Sequence, residues 1–195
     1  MNYITLFETE NQYNSARDRL LVPNVSYISG TDRVVFMKEH FVDFGTDAVA
    51  KIICIENWDT NHDGELSFAE AAAVPDIGTT FRRTLITDAM FLRCFTGITG
   101  LVSEAFREVT GLTRIAIPAN VQSIGNNCFY QDNAIKDYYY YWKDSIPAAT
   151  DLQGLSSWSS SLEHIYIPKG TTSMYSANLR FAYRRDYLVE LDEMP

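Results

Sequence analysis

Leu112-Thr113-Arg114-Ile115-Ala116-Ile117-Pro118 decides the fold. Leu112, Ile115 and Ile117 stand on an L-x-x-L-x-L spacing, and the residues before the proline read as a short β-strand. Side chains two apart on a strand share a face, so Ile115 and Ile117 enter a core together. Pro118 has no N–H to give a ladder and ends the strand. The spacing returns 23 residues later in Ile135, Tyr138 and Tyr140. It returns again after a further 27 residues in Leu162, Ile165 and Ile167, where Pro168 follows.

A second pattern shares the period. Leu101-Val102-Ser103-Glu104-Ala105-Phe106 aligns with Ile124-Gly125-Asn126-Asn127-Cys128-Phe129, again 23 residues on. Leu92 and Cys94 form a weaker copy one step before the first. L-x-x-L-x-L at a period in the twenties is the leucine-rich-repeat signature. One such unit cannot bury its apolar face alone, but stacked neighbours can. On the stacked strands Arg114 and Ala116, Tyr139 and Tyr141, and His164 and Tyr166 are expected to face outward as an aromatic ladder, with Trp142 and Trp158 near it. Aromatic faces of this kind suit contacts with protein or sugar.

Upstream, Asp59-Thr60-Asn61-His62-Asp63-Gly64-Glu65-Leu66-Ser67-Phe68-Ala69-Glu70 matches the EF-hand loop pattern. Calcium takes six to eight hard oxygen ligands. Asp59, Asn61 and Asp63 offer side-chain oxygens, Glu65 its carbonyl, Ser67 a direct or water-mediated contact, and Glu70 a bidentate carboxylate. Gly64 permits the sharp turn and Leu66 is expected to point inward. His62 falls between ligand positions and is expected to face solvent. Val49, Ile52, Ile53 and Glu56 lie at helical spacing before the loop. After it, Ser67 and Glu70 form a capping box for a helix that Pro75 stops.

The chain of 195 residues thus divides into three parts. Residues 1–40 are expected to hold a short helix from Tyr13 to Leu21 and a β-hairpin. In the hairpin, Val25–Ile28 and Arg33–Met37 flank Ser29-Gly30-Thr31-Asp32. Residues 41–83 form the helix-loop-helix, and residues 84–195 the repeats with a C-terminal cap. The fold class is α+β.

Composition narrows the function. The chain is 46% hydrophobic, enough for a core, and its net charge of −9 argues against nucleic acid, which needs clustered cations. Arg180, Arg184 and Arg185 are offset by Asp186, Glu190, Asp192 and Glu193. No apolar run is long enough for a membrane helix. The start, Met1 to Glu8, lacks a cationic patch and an apolar stretch, so no secretory signal is expected. Cys54, Cys94 and Cys128 make neither a disulfide framework nor a zinc spacing and read as small apolar residues. His40, His62 and His164 suggest no catalytic arrangement, and no phosphate-binding glycine loop is present, so no enzyme is expected.

The repeat segments 112–118, 121–129 and 162–170 resemble the BspA-like leucine-rich repeats of gut bacteria, although Cys128 stands where that family prefers Ala. Asn57 to Val74 looks like the EF-hand-type segment that often precedes such repeats. The resemblance covers roughly residues 44–190 and implies a non-catalytic cell-surface or interaction role. Tyr3–Thr9 and Pro23–Ile28 are similar to the starts of structural proteins in tailed phages of gut anaerobes. That likeness implies a virion component, such as a fibre, decoration or tail-associated protein, made in the host cytoplasm. It would be anchored or oligomerised through residues 1–40. Its partners would be other virion proteins, or a protein or glycan of the cell surface. A bacterial surface adhesin is the alternative. An accessory module resembling a dockerin is a weaker one, because dockerins carry two calcium loops.

Overall fold

The computed structural model describes residues 41–156 and 158–195, together with the strands β1 (Ser26–Ile28) and β2 (Arg33–Val35). β1 and β2 pair antiparallel, with Tyr27 opposite Val34. The loop between them, the expected helix at 13–21 and the rest of the proposed anchoring segment lie outside the described residues.

Helix α1 (Ala48–Trp58) starts at Asp47, whose side chain accepts the Ala50 N–H and so satisfies one orphan donor of the first turn. Ala50 and Cys54 are its buried residues. The sequence pattern pointed to Val49, Ile52 and Ile53 instead, yet Val49 and Ile52 are exposed. Small side chains let the helix axis approach the core closely, and the bulkier aliphatics are left at the rim. Trp58, at the last position of the helix, is partly buried and packs on Phe81 and Phe95. Helix α2 (Phe68–Ala73) has both hydrogen bonds of the Ser67–Glu70 capping box and ends two residues before Pro75.

The rest of the chain is built on parallel strands. They are β3 (Asp88–Ala89), β4 (Gly100–Leu101), β5 (Arg114–Ile117), β6 (Ser123–Ile124), β7 (Asp137–Tyr140), β8 (His164–Pro168) and β9 (Leu188–Leu191). A third helix, α3 (Thr172–Ala177), lies between β8 and β9. The main sheet runs β3-β5-β7-β8-β9, so its strands lie in chain order, with β4 and β6 falling between the first three of them. A smaller parallel pair, β4-β6, lies apart from it, and Leu152 bridges to Ile124 in the same parallel sense. The fold is therefore α+β with mostly parallel sheets, and among the described residues no sheet closes into a barrel.

The register repeats with the sequence. Ile115 pairs with Tyr138, and Tyr138 with Ile165; all three are buried. Between sheets the chain also bonds one repeat on: Phe106 N–H donates to the Cys128 carbonyl at 2.9 Å and Glu108 N–H to that of Tyr130 at 2.8 Å. Backbone twist keeps the same step. Glu104 and Asn127 both have positive φ, as do Glu108 and Gln131. Gly125 is required by close approach, since a Cβ there would lie 2.4 Å from the Ser103 nitrogen. A column of rings, Phe81 on Phe106 (5.3 Å, 4°) and Phe106 on Phe129 (5.9 Å, 25°), runs through consecutive coils.

Two expectations need correction. Leu92 and Cys94 are not on the first strand: they fall in a 3₁₀ turn (Met90–Cys94), and Ala89 is the partner of Ile115. The first coil is longer than the 23-residue step, which shifts the strand upstream. Trp142 is on the core side of the sheet, 1% exposed and stacked on Tyr140, with its indole N–H bonded to the Val121 carbonyl. Trp158 packs on Tyr138 and Tyr140 from the same side.

Candidate functional site

Two sites emerge, one at the loop between α1 and α2 and one on the outer face of the main sheet. Asp59 is the C-cap of α1 and Ser67 the N-cap of α2, so the two helices fix both ends of the loop. An antiparallel bridge from Phe41 to Ser67, with Val42 N–H donating to the Leu66 carbonyl at 2.9 Å, ties the loop's exit to the preceding chain. Leu66 is fully buried and His62 is exposed, as their loop positions suggested.

The loop winds about its own carboxylates. Asp59 Oδ1 accepts the N–H groups of His62 (2.7 Å) and Asp63 (3.3 Å), and Oδ2 that of Gly64 (2.9 Å). Asn61 Oδ1 accepts from Asp63 N–H and Asp63 Oδ1 from Glu65 N–H, both at 2.9 Å. Glu70 reaches back across the loop. Its Oε1 takes the Thr60 N–H and hydroxyl at 2.9 Å, and its Oε2 the Ser67 N–H and hydroxyl at 2.9 and 2.8 Å. Burial alone would raise the Glu70 pKa, but the hydrogen bonds from Ser67 and Thr60 outweigh it and hold the carboxyl at about 2. Glu65 turns its side chain outward to Lys51, at 2.7 Å, which leaves its carbonyl as its contribution.

Asp59, Asn61, Asp63, Ser67 and Glu70 with the Glu65 carbonyl make an all-oxygen donor set, the chemistry that suits calcium and not zinc. Among the described residues no three His, Cys, Asp or Glu side chains gather as a metal group. Asp59, Asp63 and Glu70 are instead engaged with loop N–H groups, so an ion here would have to draw them together along with the amide, hydroxyl and carbonyl oxygens. It would also have to replace some of the hydrogen bonds that Glu70 makes.

On the main sheet, Asp88, Arg114, Asp137 and His164 lie in one row across four strands. Acidic and basic side chains alternate, and neighbours pair: Arg114 Nε to Asp88 Oδ2 at 2.7 Å, and His164 Nδ1 to Asp137 Oδ1 at 2.8 Å. Two residues along, Tyr139 pairs with Tyr166 and their rings stack at 4.5 Å and 23°. His164 stacks on Tyr166 at 5.3 Å. Burial, with Asp137 and Tyr166 nearby, raises the Tyr139 pKa, so its phenol is a neutral hydrogen-bond donor and acceptor. Tyr141, past the end of β7, is half-buried and donates its hydroxyl to the Pro195 carbonyl. Burial pushes its pKa up to about 12, Cys94 and Tyr139 adding to the rise against Arg93.

Arg114, Tyr139, His164 and Tyr166 thus share one partly exposed face, with Tyr141 at its border. Ala116 is fully buried on this face, in register with Tyr139, which corrects its expected exposure. Sequence reading missed Asp88 and Asp137. The signal was there, since Asp88 stands one coil before Arg114 and Asp137 one coil before His164, but neither belongs to the aliphatic pattern. The sequence matches no protein-family model, and a search of curated proteins returned no match.

Proposed function

We propose that this chain is a non-enzymatic, calcium-stabilised binding and structural protein. In this reading an EF-hand-like helix-loop-helix leads into a short BspA-like leucine-rich-repeat solenoid, and the outer face of the solenoid sheet meets the partner. The observation that carries the reading is the register Ile115–Tyr138–Ile165, which follows the sequence period strand by strand and turns Arg114, Tyr139, His164 and Tyr166 to one side. Paired acidic and basic side chains beside a tyrosine stack make a surface suited to a protein or glycan contact.

The oxygen-lined loop is the calcium site, and its role is structural. A single loop tied to both flanking helices braces the entrance to the repeats. The place of the molecule on a virion rests on the likeness of Tyr3–Thr9 and Pro23–Ile28 to phage structural proteins.

Mass spectrometry of purified phage particles tests that placement. The polypeptide at a fixed copy number per particle is the expected result. Its absence from particles, with its presence on washed uninfected cells, would replace the virion with the bacterial surface. Hydrolytic activity abolished by a single carboxylate substitution would overturn the non-enzymatic reading.

A further inference from the structure

We propose that the calcium loop is a latch for residues 41–47, so that calcium binding sets how firmly the chain is held where residues 1–40 join it. This rests on the calcium reading of the loop and adds what the loop regulates. The segment meets the loop at its near end. Phe41 bridges Ser67 in the antiparallel sense, and Val42 N–H donates to the Leu66 carbonyl at 2.9 Å. Val42 and Phe44 are then buried, with the Phe44 ring 5.3 Å from that of Phe91. Asp47 fixes the far end, by capping α1 and by accepting the Thr87 and Asp88 N–H groups. Among the described residues the Leu66 carbonyl is the one backbone group that bonds to the backbone of residues 41–43. The near end thus hangs on the loop, and the far end on the sheet.

A single peptide unit joins the segment to the proposed ligands. The carbonyl of the Leu66–Ser67 peptide takes the Val42 N–H, and its own N–H donates to Glu70 Oε2 at 2.9 Å. The Ser67 hydroxyl donates to the same oxygen at 2.8 Å. Glu70 also spans the loop, because its Oε1 accepts the Thr60 and Asn61 N–H groups at 2.9 and 3.3 Å. Leu66 is fully buried and Ser67 caps α2, so this peptide does not turn independently of its neighbours. Freeing Val42 by moving the Leu66 carbonyl therefore disturbs Ser67 and Glu70 as well. With calcium bound, Asp59, Asp63 and Glu70 are committed to one ion, and opening the loop means giving it up. A ligand held only by the closed form suppresses opening by one plus the ratio of its free concentration to Kd.

Hydrogen exchange of the full-length protein through a calcium titration tests this, with isothermal titration run in parallel. The amides followed are those of Val42, of His62 and Gly64 in the loop, and of strand β5. In chelator, Val42 is expected to exchange faster than β5, as a segment that opens locally does. At calcium a hundredfold above Kd, Val42 and the loop amides are expected to slow together, by about a hundredfold and with one midpoint. Asp63→Asn should move both midpoints to higher calcium by the same factor. Heat of binding and slowed loop amides with Val42 unchanged would overturn the latch and leave the calcium reading standing. No heat and no slowing at either place would remove both. A Val42 amide that exchanges only at the rate of β5 would also overturn the latch, since the segment then opens only when the whole protein does.

Discussion

Asp47 and Thr87, 40 residues apart, are joined through one carboxylate: Oδ2 of Asp47 accepts both the backbone N–H and the hydroxyl of Thr87. The same oxygen takes the Asp88 N–H at 3.0 Å, while Oδ1 caps α1 through Ala50. Asp47 therefore starts a helix and closes the edge of a sheet at once. It is only 6% exposed, so these bonds are made largely out of water.

Asp47→Ala should destabilise the fold by about 2–4 kcal/mol, because it strips a helix cap and leaves the β3 donors without their acceptor. Asp47→Asn keeps one acceptor oxygen and should lose less. Burial alone would raise the Asp47 pKa, but the Ala50, Thr87 and Asp88 hydrogen bonds lower it below the ordinary value of 3.8. The folded state thus binds its proton more weakly than the unfolded chain. The contribution is complete above pH 4 and is lost as pH falls through the folded value. Urea titrations at neutral and acid pH should show wild type and Asp47→Ala converging in acid.

Asp132 should give the opposite slope. It is 2% exposed; Oδ1 accepts the Val109 N–H at 2.7 Å, and Oδ2 has no partner among the described residues. Burial, with Glu108 adding to it against the Val109 bond, pushes its pKa up to about 8. The folded state then holds a proton that the unfolded chain releases near pH 4, so stability falls as pH rises from about 4 to about 8. Asp132→Asn keeps the oxygen for Val109 and cannot ionise. It should match the wild type most nearly at about pH 4 and exceed it at pH 9 by on the order of a few kcal/mol. Parallel stability curves for the two proteins would contradict a buried neutral carboxyl.

A test of the proposed calcium loop needs a substitution that spares most of its internal bonds. Glu70→Gln is a poor choice, because Glu70 also serves the capping box and ties down Thr60. Some loss is then expected even in excess chelator. Asp63→Asn is milder: an amide oxygen can still accept the Glu65 N–H, and besides the charge only the exposed bond from the Asn61 amide to Oδ2 is lost. Isothermal titration should show calcium affinity falling on the order of tenfold or more, since ligand charge tunes such sites. Melting temperatures in chelator should be nearly unchanged. Equal melting losses with and without calcium would exclude Asp63 as a ligand.

Much of the strand positioning was legible in the sequence, because aliphatic side chains at a fixed step must meet when coils stack. Ile115, Tyr138 and Ile165 pair as their spacing implied. The capping box was legible for a local reason: Ser67 and Glu70 are three residues apart and need nothing else. What failed depended on tertiary fit. The buried face of α1 is set by Ala50 and Cys54, whose small size matters only against the surface they meet. β9 went unread because Leu188 to Leu191 lacks the full aliphatic spacing. Among the described residues β9 has a strand neighbour on one edge only, that of β8. Asp47 and Asp132 act across coils through single polar atoms, and a hydrophobic period does not register them.

Tyr140 offers a test of that polar accounting. It occupies the position of Ile117 and Ile167, is fully buried, stacks on Trp142 at 5.0 Å and meets Phe181 edge-on at 5.1 Å. Its hydroxyl has no hydrogen-bond partner among the described residues, although Tyr175 nearby donates its own to the Trp142 carbonyl at 3.0 Å. A buried hydroxyl left unpaired costs free energy, whereas the ring contributes through burial and packing. Tyr140→Phe should therefore stabilise the protein by about 1 kcal/mol, while Tyr140→Ala should cost about 3–5 kcal/mol through the cavity it leaves. Tyr175→Phe, which abandons the Trp142 carbonyl, should destabilise. If denaturant titration shows Tyr140→Phe losing stability as Tyr175→Phe does, the Tyr140 hydroxyl is bonded after all, and a water in the aromatic core is the partner to look for.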